Sequence, residues 1–334
     1  MTARLAILGA GRIGQVHARA IATTKGAELT AVFDPVPEAA QSVQAAYGCD
    51  IRSVDDCANA DDIDAVLICT PTDLHADQIE QFARAGKAVF CETPIDLSLA
   101  RVQSCLEVVH AENATLMLGF NRRFDADFQA LKAAIDDGQI GKVEMVTITS
   151  RDPSPPPLDY IARSGGIFRD MTIHDFDIAR WLLDDDIETV QAQGSVLVDP
   201  AIGDAGDFDS VNVLLKTSSG RQAMITNSRR AVYGYDQRIE VLGDKGMVSA
   251  KNTHEARIEV AGATGYNQPP LVNFFMERYE DAYAAEIRAF TQAITQGTPP
   301  PTTGHDGMMA LALAEAANRS VAEARVVRMD EVFP

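Results

Sequence analysis

Three observations predict an α/β fold: an N-terminal, doubly wound parallel sheet, then a C-terminal α+β domain with a large, open, mainly antiparallel sheet. Short apolar runs alternate with helical patterns over residues 1–120. The first of these runs stops at a glycine triplet from which a helical pattern starts. Past residue 120, strand patterns succeed one another with few helices between them, the order expected of an antiparallel sheet. The expected division is a first domain over 1–120 and a second over 121–334, with the last helix a candidate to pack back on the first domain.

In the first part, residues 5–8, 29–33, 65–69, 88–91 and 115–119 read as parallel strands. Helical patterns near 11–23, 37–47, 73–85 and 98–112 supply the crossovers. Right-handed crossovers place helices on both faces of such a sheet, and ligands bind beyond the strand C-termini. The segments to inspect are therefore 9–14, Asp34, 70–72, 92–94 and 121–123.

In the second part a helix over 125–137 precedes strands over 143–151, 190–197, 210–215, 222–230, 237–242 and 245–250. Their turns are marked by Ser-Ser-Gly220 and Gly-Asp-Lys-Gly246. A helix over 167–183 interrupts the series, anchored by Phe168, Ile173, Phe176, Ile178, Trp181 and Leu182. Ser154-Pro-Pro-Pro157 is a stiff extended loop. Helices over 274–296 and 305–324 close the chain. A large open sheet needs a partner surface, which predicts a homo-oligomer, expected to be a tetramer.

At 334 residues the chain can bury two cores. Its formal net charge of −19 argues against nucleic acid and anionic membranes as partners. No apolar run approaches the roughly 18 residues that a membrane helix requires. The first strand begins by Leu5 without a basic-then-apolar leader, which predicts a cytoplasmic protein. Five cysteines, none in a C-x-x-C pair, read as reduced thiols in or near the core, with no metal cluster and no disulfide frame.

Gly9, Gly11 and Gly14, around Arg12 and Ile13, form G-x-G-x-x-G between the first strand and helix. This Rossmann arrangement turns the chain, lets a pyrophosphate approach the backbone, and seats helix close to strand. The alternative is a glycine-rich turn in an ordinary βαβ unit. Asp34 ends the second strand 20 residues after Gly14, where a carboxylate can take both ribose hydroxyls of an adenosine. It repels a 2′-phosphate, and Pro35-Val36-Pro37 offers no arginine in its place, so NAD is expected over NADP.

The sharpest chemical candidate is the segment 165–177. Asp170 and His174 are four apart and share a face if one helix carries both, with Asp177 one turn further. A carboxylate beside an imidazole raises its proton affinity and orients it. That suits a group taking a proton from a substrate hydroxyl while hydride leaves the same carbon. A zinc site lacks a third ligand of matching spacing, and a plain surface ion pair is the alternative.

These residues carry a family resemblance. The chain resembles the glucose–fructose oxidoreductase/inositol dehydrogenase/MocA family, and within it the inositol 2-dehydrogenases, over essentially its whole length. The matching stretches are Gly-Ala-Gly-Arg-Ile-Gly followed by His17, Cys-Thr-Pro-Thr72 with His75, and Cys-Glu92-Thr93-Pro94. Gly-Phe-Asn-Arg122-Arg123-Phe-Asp, the Asp170 and His174 pair, and Tyr233-Gly-Tyr235-Asp ahead of a strand complete them. The resemblance implies an open sheet that forms the oligomer interface, with substrate between that sheet and the nicotinamide. It implies NAD-dependent oxidation of a secondary alcohol of a cyclic polyol, myo-inositol to 2-keto-myo-inositol, with His174 taking the proton and Asp170 orienting and charging it. Dehydrogenation of another sugar or inositol isomer, and a catalytically silent NAD-binding protein, are the alternatives.

One departure stands out. The family's Glu-Lys-Pro reads Glu92-Thr93-Pro94 here. In relatives that lysine assists proton movement, and an uncharged alcohol cannot replace it. Thr93 is compatible with a position substituted to trap substrate, with an enzyme relying on Asp170 and His174 alone, or with lost activity. The remaining expectations keep two readings each. Arg122 contacts substrate hydroxyls or pairs with acids at the domain boundary, Tyr235 lines the sugar or merely packs, and Asp152 touches substrate or is a solvated loop acid. Thr70, Thr72 and His75 contact the cofactor ribose and diphosphate, or Thr72 or Asp73 caps a helix, and Glu92 belongs with the cofactor residues.

Overall fold

The apolar runs of the N-terminal part become parallel strands β1 (Ala3–Leu8), β2 (Ala27–Phe33), β3 (Asp50–Ile51), β4 (Ala65–Ile68), β5 (Ala88–Cys91) and β6 (Leu116–Leu118). The structure is a computed structural model that describes residues 2–333. Helices α1 (Arg12–Thr23), α2 (Pro37–Tyr47), α3 (Val54–Asn59), α4 (His75–Arg84) and α5 (Leu99–Ala111) connect the strands. The sheet order β3-β2-β1-β4-β5-β6 places the reversal of strand order between β1 and β4, the switch point at which such sheets open a ligand crevice. Every residue of β4 is buried, as a strand covered on both faces must be. Both residues of the edge strand β3 are exposed, which is why no apolar run announced it.

The second unit opens with α6 (Ala126–Asp136). Its sheet holds β7 (Val143–Arg151), β8 (Ile187–Ser195), β9 (Ser210–Thr217), β10 (Gln222–Ser228), β11 (Asp236–Gly243), β12 (Gly246–Ala250) and, from the end of the chain, β15 (Val327–Arg328). A small hairpin, β13 (Val260–Gly262) and β14 (Gly265–Asn267), stands apart. The order is β12-β11-β7-β10-β9-β8-β15, antiparallel throughout except for the parallel pair β7 and β10. Along β9, Val211, Val213 and Leu215 are buried while Asn212, Leu214 and Lys216 are exposed, the period-2 pattern of a sheet with one covered face. The exposed face is partly apolar. Register sets Met145 opposite Leu242, Leu242 opposite Met247, and Met224 opposite Leu214, all five exposed.

The expected helix over 167–183 breaks in two. It forms α8 (Ile167–Asp170) and α9 (Thr172–Leu183), separated at Met171 with φ −107 and ψ −56. A helix α7 (Leu158–Ser164) follows the proline-rich loop, and α10 (Pro200–Asp204) follows β8. α9 packs against β7 and β10, and its Ile173, Phe176 and Leu182 are buried. Trp181, expected in the core, is only half-buried, with the Lys132 ammonium 5.9 Å from its ring.

The closing helix also breaks, at Tyr279 (φ −112, ψ 17), into α11 (Phe275–Arg278) and α12 (Glu280–Gln296), before α13 (Gly304–Glu323). Contacts along the chain group it into two units. Residues up to Asp125 together with Glu280–Leu311 form the first unit, and Ala126–Tyr279 with the chain from Ala312 onward forms the second. α12 lies on α1, and its Phe290 meets Phe90 of β5 at 5.7 Å. That helix therefore completes the first core, although nothing in its own periodicity says which sheet it will cover. Among the described residues, no helix is long and apolar enough to cross a membrane.

One buried acid organises the loop after β8. The Asp209 carboxylate accepts the N–H groups of Leu197, Val198 and Asp199 at 2.8, 2.8 and 3.1 Å, and the Ser210 hydroxyl at 2.9 Å. Burial pushes this carboxyl up, but the four donors outweigh burial and leave it below its ordinary value. A depressed carboxyl contributes stability that is present above the unfolded value of about 4 and fades as pH falls through the folded one. Asp209→Asn is expected to cost about 1–3 kcal/mol at pH 7. The difference from the native protein should shrink below about pH 4, as read by urea unfolding at both pH values.

Candidate functional site

The first unit carries a turn built for close approach. β1 ends at Leu8 and the chain reverses at Gly9, whose φ is +94. A Cβ on Gly9 would lie 2.6 Å from the Cys69 carbonyl oxygen, and one on Gly14 would lie 2.0 Å from the Gly9 oxygen. Gly9 is closed to any side chain by the chain after β4, and Gly14 by the approach of α1 to the Gly9 carbonyl. A Cβ on Gly11 meets nothing within 4 Å, so that glycine faces open space on the ligand side. α1 begins at Arg12 with no side-chain cap and no acid in its first turn. Its first N–H groups and its positive end, around Arg12 and the half-buried Ile13, are thus available to an anion.

Asp34 follows β2 and is held by the same turn. Its Oδ2 accepts the Ala10 N–H at 2.6 Å and its Oδ1 accepts the Val36 N–H at 2.8 Å. Each oxygen keeps a lone pair for a ribose hydroxyl. The uncapped helix end, the open space at Gly11 and this carboxylate fit an adenosine dinucleotide with a free 2′-hydroxyl.

Two further loops leave the same end of the sheet. Thr70 follows β4, and Thr72 opens a short turn into α4; neither that turn nor α4 has a side-chain cap, so the capping reading of Thr72 falls away. His75 was expected to touch the cofactor, yet it is 2% exposed. Its Nδ1 and Nε2 lie 2.8 Å from the Pro94 and Thr70 carbonyl oxygens, so it braces the loop after β4 against the loop after β5. The Thr93–Pro94 peptide is cis. Glu92 is held from within, its Oε1 2.6 Å from His17 Nε2. His17 is wholly buried between the edges of Phe90 and Tyr283, at 5.0 and 5.5 Å. Burial and the neighbouring Glu92 push the fully buried Glu286 carboxyl well above its ordinary range. Arg122 and Arg123 are both buried in the turn after β6, and Arg123 pairs with Asp306 at 2.9 Å.

The second unit carries the carboxylate and the imidazole. Asp170 ends α8 and His174 lies in the first turn of α9, so the two sit on different helices, not on one shared face. From Thr172 to Ala179, His174 alone is not buried. α9 is fastened from below: the buried Asn227 of β10 donates to Asp175 at 2.8 Å and accepts from Thr172 Oγ1 at 2.6 Å. Asp170 Oδ1 accepts the Tyr160 hydroxyl at 2.6 Å and Oδ2 accepts Arg229 Nη1 at 2.9 Å. Asp177 is buried within α9. Asp152 follows β7, half-buried, and its charge reaches Arg229. Tyr235 is 4% exposed and packs edge-on against Phe274 and Tyr279 at 6.4 and 6.0 Å.

Sequence reasoning missed Tyr160, Arg229 and the His17 to Glu92 bond. Tyr160 stands on a helix that the preceding prolines hid, and the other pairs join residues 59 and 75 positions apart. The signal available was placement alone, since Arg229 directly follows β10. All five cysteines are buried and free, and burial pushes the Cys57 thiol up to about 11 and Cys105 up to about 12. Among the described residues no group of three His, Cys, Asp or Glu side chains could hold a metal ion.

Residues 3–120 match the oxidoreductase family with an NAD-binding Rossmann fold, and residues 128–249 match the GFO/IDH/MocA C-terminal domain. The chain is 62% identical to an inositol 2-dehydrogenase of Rhizobium meliloti (strain 1021), across 98% of this chain and 99% of that one. A myo-inositol dehydrogenase structure from Corynebacterium glutamicum superposes with a TM-score of 0.94 at 43% identity, covering 98% and 99% of the two chains. A scyllo-inositol dehydrogenase from Lactobacillus casei, solved with NAD(H) and scyllo-inositol bound, gives 0.91 at 30% identity over 99% and 100%.

The glycines make a paired prediction. Gly11→Ala should melt within about 2 °C of the native protein yet bind NAD about tenfold or more weakly, because its new methyl occupies only the ligand's space. Gly14→Ala should lower the melting temperature by several degrees, because its methyl collides with the Gly9 carbonyl. Thermal denaturation and an NAD titration of both variants check the contrast.

Proposed function

The chain belongs to the GFO/IDH/MocA family of NAD-dependent oxidoreductases, and from that premise we propose that it oxidises a secondary alcohol of a cyclic polyol, myo-inositol to 2-keto-myo-inositol. The observation that carries the reading is the half-buried His174 four residues past the anchored carboxylate of Asp170, in a chain with an uncapped glycine-turn helix. Relatives named inositol 2-dehydrogenase along the whole length support the choice of polyol.

NAD, when bound, accepts the hydride. Gly9, Gly11, Arg12, Ile13 and Gly14 would hold its diphosphate on the α1 end, and Asp34 would hold the adenosine ribose. Thr70, Thr72 and Glu92 line the loops at the same strand ends, with His75 bracing them. His174 takes the hydroxyl proton as the carbon loses hydride, and the Asp170 charge favours the imidazolium that results. Two of the four lone-pair positions of Asp170 are filled by Tyr160 and Arg229. Arg122 and Asp152 are assigned to substrate hydroxyls, while the burial of Tyr235 among aromatic rings favours a packing role for it. Thr93 stands where the family resemblance implies an assisting lysine. The apolar row over Met145, Leu242 and Met247 supports a homotetramer built through the outer sheet face. The net charge of −19 supports the absence of nucleic-acid and anionic-membrane partners, and a cytoplasmic place in inositol catabolism is part of the same proposal.

The test is the absorbance of reduced cofactor on mixing protein, NAD and a panel of inositol isomers and pyranoses. Turnover should be highest with myo-inositol, and should fall at least about tenfold with NADP because Asp34 repels the 2′-phosphate. Highest turnover with another sugar moves the reading to that substrate. Thr93→Lys should raise kcat by about 10²–10⁴, the usual contribution of a general acid–base group. Thr93 also favours a second reading, a silent NAD-binding protein. Tight NAD binding with no turnover, before and after Thr93→Lys, would establish it.

A further inference from the structure

Arg229 is the largest of the fully buried side chains, 1% exposed, and the dehydrogenation scheme above gives it no task. Its guanidinium lies between two carboxylates. Nη1 donates to Asp170 Oδ2 at 2.9 Å and Nη2 donates to Asp207 Oδ2 at 3.3 Å. Asp207 Oδ1 in turn accepts the Ile167 N–H at 2.9 Å. Ile167 and Asp170 are the first and last residues of α8, so the chain Asp207, Arg229, Asp170 braces that short helix from its first N–H to its last side chain. Tyr160 closes the other side by donating to Asp170 Oδ1.

Burying a guanidinium is expensive, and an apolar side chain of similar volume commonly serves stability as well or better. Stability alone therefore does not explain an arginine here. A planar fork held by two acids does fix the direction of a carboxylate, which a point charge on a flexible stem does less well. The charge count matters too. One guanidinium shared by two carboxylates leaves one net negative charge, whereas a one-to-one pair would leave Asp170 neutralised toward its surroundings. Asp152, whose charge also reaches Arg229, adds to the negative side.

We infer that Arg229 and Asp207 are positioning residues for Asp170: the guanidinium aims the carboxylate toward the start of α9, and Asp207 keeps that carboxylate's charge from being cancelled. The inference rests on the proposed role of Asp170 beside His174. It adds to the acid–base pair a buried arginine 59 positions away in sequence.

Asp207→Asn combined with Arg229→Met removes both supporting charges together, leaving neither buried alone. This double variant should bind NAD within about twofold of the native protein, yet lose about ten- to a hundredfold in kcat on the best polyol of the panel, part of the acid–base term. Arg229→Lys, which keeps the charge and one bond, should stay within about fivefold of native kcat. A folded double variant with native kcat overturns the inference. If the double variant does not fold, Asp207→Asn alone decides: native kcat overturns the inference, and a tenfold loss with unchanged NAD affinity supports it. A crystal structure of the folded variant separates this inference from the function it rests on. If the native protein turns over no polyol, the proposed function fails, while Asp170 displaced from Tyr160 still supports the positioning role and Asp170 unmoved overturns it.

Discussion

The contact on which the N-terminal half depends is the approach of α1 to the turn that precedes it, where no atom beyond a hydrogen fits between Gly14 and the Gly9 carbonyl. Closer packing here puts the helix end over the strand termini at the switch point between β1 and β4. The same turn presents the Ala10 N–H to Asp34, so the acid proposed for the ribose is positioned by the backbone proposed for the diphosphate. Moving α1 outward by the width of a methyl would disturb three things at once: strand cover, helix end and carboxylate. α12 seals the arrangement from outside, laying Tyr283 and Phe290 over His17 and Phe90.

The second unit solves a different problem with buried polar groups. Apolar contacts are non-directional, so a helix whose first turn must hold one orientation needs more than apolar packing to fix it. Asn227 supplies direction by using its amide on Asp175 and its carbonyl on Thr172, pinning the first turn of α9 to β10. Asp209 does similar work for the loop after β8. Such networks are costly when partly satisfied and rigid when complete, which makes them suited to holding a site and unsuited to filling a core.

Legibility followed the range of the interaction. The strands of the parallel sheet were readable because burial on both faces demands unbroken apolar runs, as in β4 and β5. β9 was readable because alternation survives in a sheet with one open face. The break between α8 and α9 was not readable, since Asp170, Met171 and Thr172 carry no glycine or proline to mark it. The assignment of α12 to the first unit was hidden for a related reason. Its buried face announces a helix that needs cover and says nothing of which core supplies it.

Composition, periodicity and the glycine triplet by themselves determined two units built of helices and sheets and a glycine turn at Gly9 to Gly14, and they singled out Asp34 and the pair Asp170 and His174 as candidates, because each is a local pattern of chain geometry or residue chemistry. Only the tertiary structure decided what each polar group is bonded to. It turned His75 into a brace, set His17 behind Glu92, buried Tyr235 among rings and brought Arg229 and Tyr160 to Asp170. Those contacts join residues far apart in the chain, and a buried donor takes whichever acceptor the fold places within reach.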